Sequence, residues 1–225
     1  MVVFKVRAAS RTAVARGRPD EGKKRMPDAR RVARTAADTR SWNALSAEIR
    51  NCQLCPLART RTHAVVYKGG LAPRLVFLGE APGAEEDRLG VPFVGRSGKE
   101  LDRAIERLAL RSEEYGVLNV LKCRPPENRF DRVAARTCRP YLDRQLAWLR
   151  PEVVITLGSH ALRTLDPEAP PVLVAAGHPI LDRGLPHFPL LHPAAALRSR
   201  RWRERWEHDL RALGSWLERY PRKRL

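Results

Sequence analysis

Four short apolar segments, separated by segments with helical spacing, constrain the fold of this chain more than any other feature. They have the length and flanking residues of buried strands: Arg74–Leu78, Gly116–Leu121, Val153–Leu157 and Phe188–Leu191. Helical spacing is found in Lys99–Leu110, Arg132–Leu149, Ser159–Leu165 and Arg198–Leu217. This alternation predicts an α/β fold: a single domain with a central, mostly parallel four-stranded sheet and helices on both faces.

Residues suited to binding and catalysis follow each predicted strand. Asn119 stands at the end of the second strand, and the segments that come after the four strands are Gly79–Gly83, Lys122–Arg129, Gly158–His160 and His192–Pro193. Ligands of parallel sheets bind beyond the carboxyl ends of the strands. We therefore expect these segments to form one site.

Length and composition set the domain organisation. The chain has 225 residues, 43% of them hydrophobic, which is enough for one sizeable core. We expect a basic, flexible N-terminal arm (1–40), a folded domain (41–218) that opens with a short amphipathic helix capped by Ser41, and a basic tail (219–225). No apolar run is long enough for a membrane span or a signal peptide, so we expect a monomeric cytoplasmic protein without membrane contact.

Positive charge is concentrated at the ends of the chain. The net charge is +18; residues 1–40 hold 12 Lys and Arg against 4 acids, and residues 196–225 hold 10 against 4. Such an excess favours a polyanionic partner, most simply nucleic acid. The alternative for the N-terminal segment is a solvated tail that only maintains solubility.

The four cysteines indicate a metal or cluster site. Cys52 and Cys55 form a C-x2-C pair, and Cys123 and Cys138 follow with 14 residues between them. In a reducing compartment such a set favours metal binding over disulfides. The spacing leaves zinc and a [4Fe–4S] cluster equally open, and four thiolate ligands imply a structural site.

Several motifs, in this order, resemble those of the family 4 uracil-DNA glycosylases. They are Cys52–Leu57, Gly79–Asp87 (GEAPGAEED), Pro92–Gly98 (PFVGRSG), Asn119–Arg129 (NVLKCRPPENR) and His192–Pro193. The resemblance extends over about residues 45–215. It implies a uracil-DNA glycosylase-like α/β domain, a [4Fe–4S] cluster on the four cysteines in preference to zinc, and uracil-containing DNA, single- or double-stranded, as the partner.

The same resemblance implies roles for individual residues. Phe93 corresponds to the aromatic residue that stacks on the flipped uracil, Asn119 to the amide that binds its edge, and His192 to the donor to its O2. A second His-Pro pair, His178-Pro179, precedes the fourth strand, and we predict a loop there. Glu80 and Glu86 are the candidate catalytic carboxylates.

Further positions implied by the resemblance lie around the base. Ala81 belongs to the substrate-binding loop, and its methyl group is expected to narrow the pocket if the backbone there has a positive φ. The candidate DNA contacts are Arg124, Asn128, Arg129, Leu197 and Arg198.

Three functions are therefore compared. The first is a monofunctional glycosylase that hydrolyses the N-glycosidic bond of deoxyuridine and starts base excision repair. The second is a non-catalytic protein that binds uracil or damaged DNA with the same pocket. The third is a zinc-containing nucleic-acid module without a base pocket, which predicts that Phe93, Asn119 and His192 lie apart.

Overall fold

The structure, a computed structural model, describes residues 36–220. Its strands are β1 (Lys68–Gly69), β2 (Leu75–Gly79), β3 (Tyr115–Asn119), β4 (Val153–Leu157) and β5 (His187–Leu190). Its α-helices are α1 (Ala36–Arg50), α2 (Ala84–Leu89), α3 (Arg96–Arg107), α4 (Arg132–Leu149), α5 (Ser159–Leu165), α6 (Val172–Ala175), α7 (Pro193–Ala196) and α8 (Arg200–Arg219). Two 3-10 turns lie at Pro56–Arg59 and Pro126–Asn128. Within this part of the chain, no helix is both long and apolar enough to cross a membrane.

The central sheet confirms the predicted fold class but has five strands instead of four. Its order is β1-β3-β2-β4-β5, and every pair is parallel except β1 with β3. The additional strand, β1, is a two-residue edge strand, Lys68-Gly69. It contains no apolar residue and was therefore invisible to a search for apolar runs.

Both faces of the sheet are covered by helices, as predicted. Alternate residues of a strand point to opposite faces. Val76 and Leu78 of β2 accordingly belong to a core shared with α1 and α4, whereas Leu75 and Phe77 belong to a core shared with α3 and α8. Burial on both faces explains why the strand is almost continuously apolar.

The observed helices differ from the predicted ones mainly at their ends. The prediction that Ser41 caps the first helix is wrong, because α1 already includes Ala36. Residues 36–40, part of the predicted basic arm, are therefore helical. The rest of that arm lies outside the described residues. Helices α4 and α5 have the predicted bounds. An apolar stripe of α8 belongs to the core, with Trp206 and Leu213 fully buried.

The chain changes direction across the sheet at β2. It runs from β2 to β3 on one side and then returns to β4 on the other side of β2. The loops that leave β2 and β4 therefore separate toward opposite faces and open a crevice at the carboxyl edge. The functional segments of the sequence lie at this edge.

Candidate active site

A cleft of about 780 Å³ opens at the carboxyl edge of the parallel strands. Its walls include most of the predicted site residues: Glu80, Ala81, Glu86, Phe93, Asn119, Asn128, His192 and Arg198. Each predicted strand end contributes to it, as the position of the motifs required. Because the stacking, edge-binding and O2-donor candidates share one cleft, the hypothesis of a module without a base pocket is wrong.

Asn119 has a buried amide without a hydrogen-bonding partner. It is the last residue of β3 and is 1% exposed. Neither its Oδ1 nor its Nδ2 has a hydrogen bond to any described residue. An unpaired buried polar group costs about 1–3 kcal/mol, so a donor and an acceptor left open side by side indicate a place for a ligand.

Phe93 lies beside this amide with a strained backbone. Its φ of 54° is left-handed, which is uncommon for a residue other than glycine. The turn packs directly on α3, where a Cβ at Gly98 would collide with the Phe93 carbonyl group. The Phe93 ring is 5.9 Å from the His192 ring, at an angle of 32°. The strain is retained where it orients an aromatic ring at the cleft.

Gly79, the last residue of β2, keeps the floor of the cleft open. A Cβ at this position would lie 2.5 Å from Phe93 Cζ and closer still to Asn119 Oδ1. Both side chains belong to the cleft, so an added methyl group would occupy the space between them. The cleft therefore depends on the absence of a side chain here.

We expect Gly79→Ala to abolish base binding and to lower the free energy of unfolding by about 1–3 kcal/mol, the usual cost of overpacking. Gly214→Ala, within α8, is the matched control because its Cβ would lie 3.4 Å from Leu108 Cδ2. This control should gain about 0.5–1 kcal/mol from lower chain entropy and retain activity. Chemical denaturation and a cleavage assay on both variants test this, and full activity in Gly79→Ala would contradict it.

His192 is held as a neutral imidazole with a defined tautomer. It precedes α7, and its Nδ1 accepts a hydrogen bond from the Ala194 N–H at 3.2 Å. Burial, and then the positive charge of Arg198, lower the pKa of His192 to about 4. With Nδ1 accepting, the proton of the neutral ring is on Nε2. Nε2 is therefore a hydrogen-bond donor at neutral pH.

Glu86 is bound to the backbone of the loop that surrounds it. One oxygen accepts from the N–H groups of Val94 and Gly95 at 2.9 and 2.8 Å, and the other from the Gly83 N–H at 3.0 Å. These bonds fix the turn that carries Phe93 to the loop after β2. The carboxylate lines the cleft, but both oxygens already have donors.

Glu80 is the cleft carboxylate that no described residue binds through a hydrogen bond. Burial raises its pKa, and the neighbouring charge of His160 opposes this shift. His160 follows β4 and its ring stacks on Phe130 at 4.0 Å. The sequence placed His160 after a strand but assigned it no role. Its position beside a free carboxylate is the information that the sequence lacked.

The candidate DNA contacts lie around the mouth of the cleft. Asn128 and Arg198 line it and are exposed. Arg124 Nε donates to Asn128 Oδ1 at 2.9 Å, and Arg129 pairs with exposed Glu127 at 3.1 Å. Leu197, at the end of α7, is half-buried and does not line the cleft.

Sequence reasoning missed part of the wall. Arg96 and Ser97, at the start of α3, line the cleft, as does Ser159 after β4. They belong to a quoted motif or a predicted strand end, so their position could have indicated them. Ala81 also lines the cleft, and its φ is not positive, so its methyl group causes no backbone strain.

The four cysteines are free thiols brought into one neighbourhood. Burial raises the pKa of Cys123 to about 11, a shift that Arg61 opposes and that nearby Cys138 and Cys55 reinforce. Arg61 Nη1 donates to Cys123 Sγ at 3.1 Å. Among residues 36–220, no three His, Cys, Asp or Glu side chains are already arranged as ligands of one metal ion. The four thiols and the adjacent cation suit a site with several negative charges.

Comparison with known proteins agrees with this geometry. Residues 66–212 match the model of the uracil DNA glycosylase superfamily. A type-4 uracil-DNA glycosylase of Saccharolobus solfataricus is 39% identical over 186 residues, covering 77% of this chain and 85% of the relative. The chain belongs to the type-4 uracil-DNA glycosylase family. Type-4 uracil-DNA glycosylases of Thermotoga maritima and Archaeoglobus fulgidus are 38% and 36% identical, covering 69% and 74% of this chain and 83% and 88% of the relatives.

The region matched to the superfamily includes every strand of the sheet. It begins at residue 66, before β1, and ends within α8. The whole cleft therefore lies inside the part of the chain that is typical of uracil-DNA glycosylases. Cys52 and Cys55 precede the matched region, whereas Cys123 and Cys138 fall within it.

Proposed function

We propose that this chain is a uracil-DNA glycosylase that hydrolyses the bond between uracil and deoxyribose in DNA, which starts base excision repair. The observation that carries the proposal is the buried, unpaired Asn119 amide in the same cleft as Phe93 and His192. A base edge with one acceptor and one N–H matches that amide. The family of the chain supports the same activity.

Base recognition uses the floor and one wall of the cleft. A deoxyuridine rotated out of the DNA stack would place its ring against Phe93, since stacking on aromatic rings is how flipped bases are held. Asn119 Nδ2 would donate to uracil O4, and Oδ1 would accept from N3–H. Cytosine has a donor at position 4 and an acceptor at N3, so the amide in this orientation discriminates against it.

His192 acts on the leaving group. As the C1′–N1 bond breaks, its electron pair moves to uracil, and negative charge develops on O2. The Nε2–H of neutral His192 is the group that would donate to that oxygen. Its orientation is set in advance by the Ala194 N–H on the other ring nitrogen. No reorganisation is then needed in the transition state.

Glu80 is the carboxylate that would activate water. The water oxygen forms a bond to C1′, and a proton of the water passes to the Glu80 carboxylate. No described residue donates a hydrogen bond to this carboxylate. Negative charge at this position also stabilises the oxocarbenium-like sugar. Glu86 has both oxygens bound to backbone N–H groups, so its contribution is to hold the Phe93 turn.

We expect His160→Gln to move the acidic limb of the pH–rate profile to higher pH. Glu80 must be ionised to accept the proton, so activity falls as pH drops through its pKa. Burial raises that pKa and His160 lowers it, so removing His160 leaves the full effect of burial. Single-turnover rates between pH 5 and pH 8 measure the limb.

His178→Gln is the matched control for this pH dependence. His178 is exposed and lies outside the cleft, so its profile should equal that of the unmodified chain. If the acidic limb of His160→Gln stayed in place, His160 would have no effect on the pKa of Glu80. If the limb moved to lower pH, His160 would raise that pKa, contrary to the prediction.

The exposed cations around the cleft would contact the DNA backbone. Arg198, between α7 and α8, and Arg96, at the start of α3, flank the opening. Arg124, through Asn128, stiffens the loop between β3 and α4 on a third side. Such contacts position DNA without reading sequence. Leu197 is half-buried, so the wedge beside the flipped base is small.

We also propose that Cys52, Cys55, Cys123 and Cys138 hold a [4Fe–4S] cluster, with zinc as the alternative. Held by these four residues, a cluster would tie the segment after α1 to α4 and to the loop after β3. Arg61 and buried Lys122 lie beside the thiols and would offset the negative charge of four thiolates. Iron and acid-labile sulfide content of anaerobically purified protein distinguishes the two.

The activity is tested with a labelled oligonucleotide that contains one deoxyuridine. The expected result is alkali-sensitive cleavage at that position, absent from a thymidine control, by a monomer in size-exclusion chromatography. Tight binding of the deoxyuridine strand without cleavage would instead support the non-catalytic binder. A tight-binding branch of the superfamily carries a long basic insertion before the last cysteine. Only 14 residues separate Cys123 and Cys138, which leaves no room for such an insertion, and this favours turnover.

A further inference from the structure

Lys122 is a buried lysine between the four-cysteine site and the base-binding cleft. It is 2% exposed and follows β3 directly before Cys123. Its Nζ donates to the main-chain carbonyl of Asn119 at 2.5 Å. Its backbone N–H lies beside the Cys138 thiol and interacts with it. One residue therefore contacts both the cysteine site and the residue that would bind the uracil edge.

We propose that Lys122 is a positioning residue that couples the four-cysteine site to uracil recognition by holding the main-chain carbonyl of Asn119. The proposal rests on the function proposed above. Lys122 itself does not line the cleft and would not touch the base.

The geometry of the segment explains why this contact matters. After β3, the backbone is fixed by bonds from the Val120 N–H to the Gly79 carbonyl and from the Leu121 N–H to the Glu80 carbonyl. The Asn119 carbonyl instead accepts from Lys122 Nζ. Without that donor, a buried carbonyl would be unpaired, and the peptide plane would rotate to find a partner.

Rotation of this peptide would move the Asn119 side chain. Its amide is packed against the Phe93 ring and the Gly79 backbone, and it is not held by any other hydrogen bond within the described residues. Its orientation therefore follows the backbone. A displacement of about 1 Å at a reacting or binding group is enough to cost about 100-fold in rate.

The position of Lys122 depends in turn on the cysteines. Cys123 follows Lys122 directly, and Cys138 lies beside the Lys122 backbone N–H. The Lys122 carbonyl accepts from the Val65 N–H at 2.7 Å. Anything that binds the cysteines would restrain this turn. A structural change at the cysteine site would therefore affect Asn119 through a single residue, Lys122.

The test measures binding to an uncleavable probe, so that recognition is separated from chemistry. The probe is a fluorescent single strand with one 2′-fluoro-2′-deoxyuridine, compared with the same strand carrying 2′-fluoro-2′-deoxycytidine, because cytosine is the base that the Asn119 amide would discriminate against. In Lys122→Met, which retains length but loses the donor, the Kd of the cytosine strand divided by the Kd of the uracil strand should fall about tenfold, the effect of one hydrogen bond. Lys122→Arg, which keeps a side-chain N–H donor, should recover part of the ratio.

Gln145→Met is the matched control. Gln145 is fully buried and also donates to a main-chain carbonyl, that of Val66 at 3.0 Å, but it does not contact Asn119. It should lose similar stability and keep the wild-type Kd ratio. Lys122→Gln, whose amide ends short of the Asn119 carbonyl, should show the same fall as Lys122→Met and replaces it if that variant does not fold.

The outcomes separate this proposal from the proposed function. Either folded variant overturns the coupling if its Kd ratio stays within about twofold of wild type. A fall of equal size in Gln145→Met also overturns it, because the effect would then be general destabilisation. If the unmodified chain binds both strands equally and does not cleave the deoxyuridine oligonucleotide, the proposed function fails first.

Discussion

His192→Ala should lower the single-turnover rate on a deoxyuridine oligonucleotide by about 100- to 1,000-fold, the usual cost of losing one donor to a developing oxyanion. The donor acts where charge appears only as the bond breaks, so binding of substrate should change little. Rapid-quench single-turnover kinetics at saturating enzyme, together with the Kd for uncleavable DNA, separate the two effects. His178→Ala, in the exposed second His-Pro pair, is the control and should match wild type.

The pKa of His192 gives this prediction a pH dependence. Because the pKa is lowered to about 4, the ring is neutral throughout the range in which Glu80 is ionised. Protonation of His192 should therefore not limit the rate above about pH 5. An unfolded histidine has a pKa near 6.5, so the stability that comes from keeping this ring neutral is present above that pH. It is lost as pH falls toward about 4.

A fast chemical step in His192→Ala would contradict the proposed role of His192 as the donor to uracil O2. If His192→Ala lost only affinity, with an unchanged single-turnover rate, His192 would bind the ground state and not the transition state. The stabilisation of the leaving group would then fall to Asn119 alone. That residue contacts the other edge of the base and does not reach O2 in the proposed orientation.

The sheet and the location of the cleft follow from the sequence for a clear physical reason. Strands buried on both faces are continuous apolar runs, and the residues after them must meet at one edge. The sequence alone therefore predicts that Asn119 and His192 lie near each other. β1 could not be found, because a two-residue antiparallel edge strand such as Lys68-Gly69 needs no apolar residue.

The division of roles between the two carboxylates could not be predicted. Glu86 and Glu80 lie in one acidic, glycine-containing motif, and both were candidate catalytic residues. Only the folded loop brings the N–H groups of Val94 and Gly95 to Glu86 and leaves Glu80 without such donors. These bonds join residues eight and nine positions apart in irregular structure, and no periodicity marks them.

Burial of Lys122 was equally hidden. Lysine is almost never fully buried without a partner, and nothing in its sequence neighbours indicated burial. The partner is a main-chain carbonyl three residues away, which every sequence has. The specific contact depends on how the chain turns between β3 and Cys123.

Asn119→Ala should reduce uracil excision by about 100-fold and at the same time raise the free energy of unfolding by about 1 kcal/mol. The loss reflects two hydrogen bonds to the base, each contributing about 1.4 kcal/mol. The gain arises because the folded protein without DNA no longer buries two unpaired polar atoms. Opposite changes in activity and stability are the signature of a side chain kept for its ligand.

Thr156→Val distinguishes this effect from simple removal of a buried polar atom. Thr156, in β4, has a buried hydroxyl without a hydrogen bond and does not line the cleft. It should gain similar stability with an unchanged rate. Urea unfolding and single-turnover kinetics on both variants decide the matter. If Asn119→Ala were less stable than wild type, the amide would have hydrogen-bond partners in the free protein. The inference that the amide is kept unpaired for uracil would then be wrong.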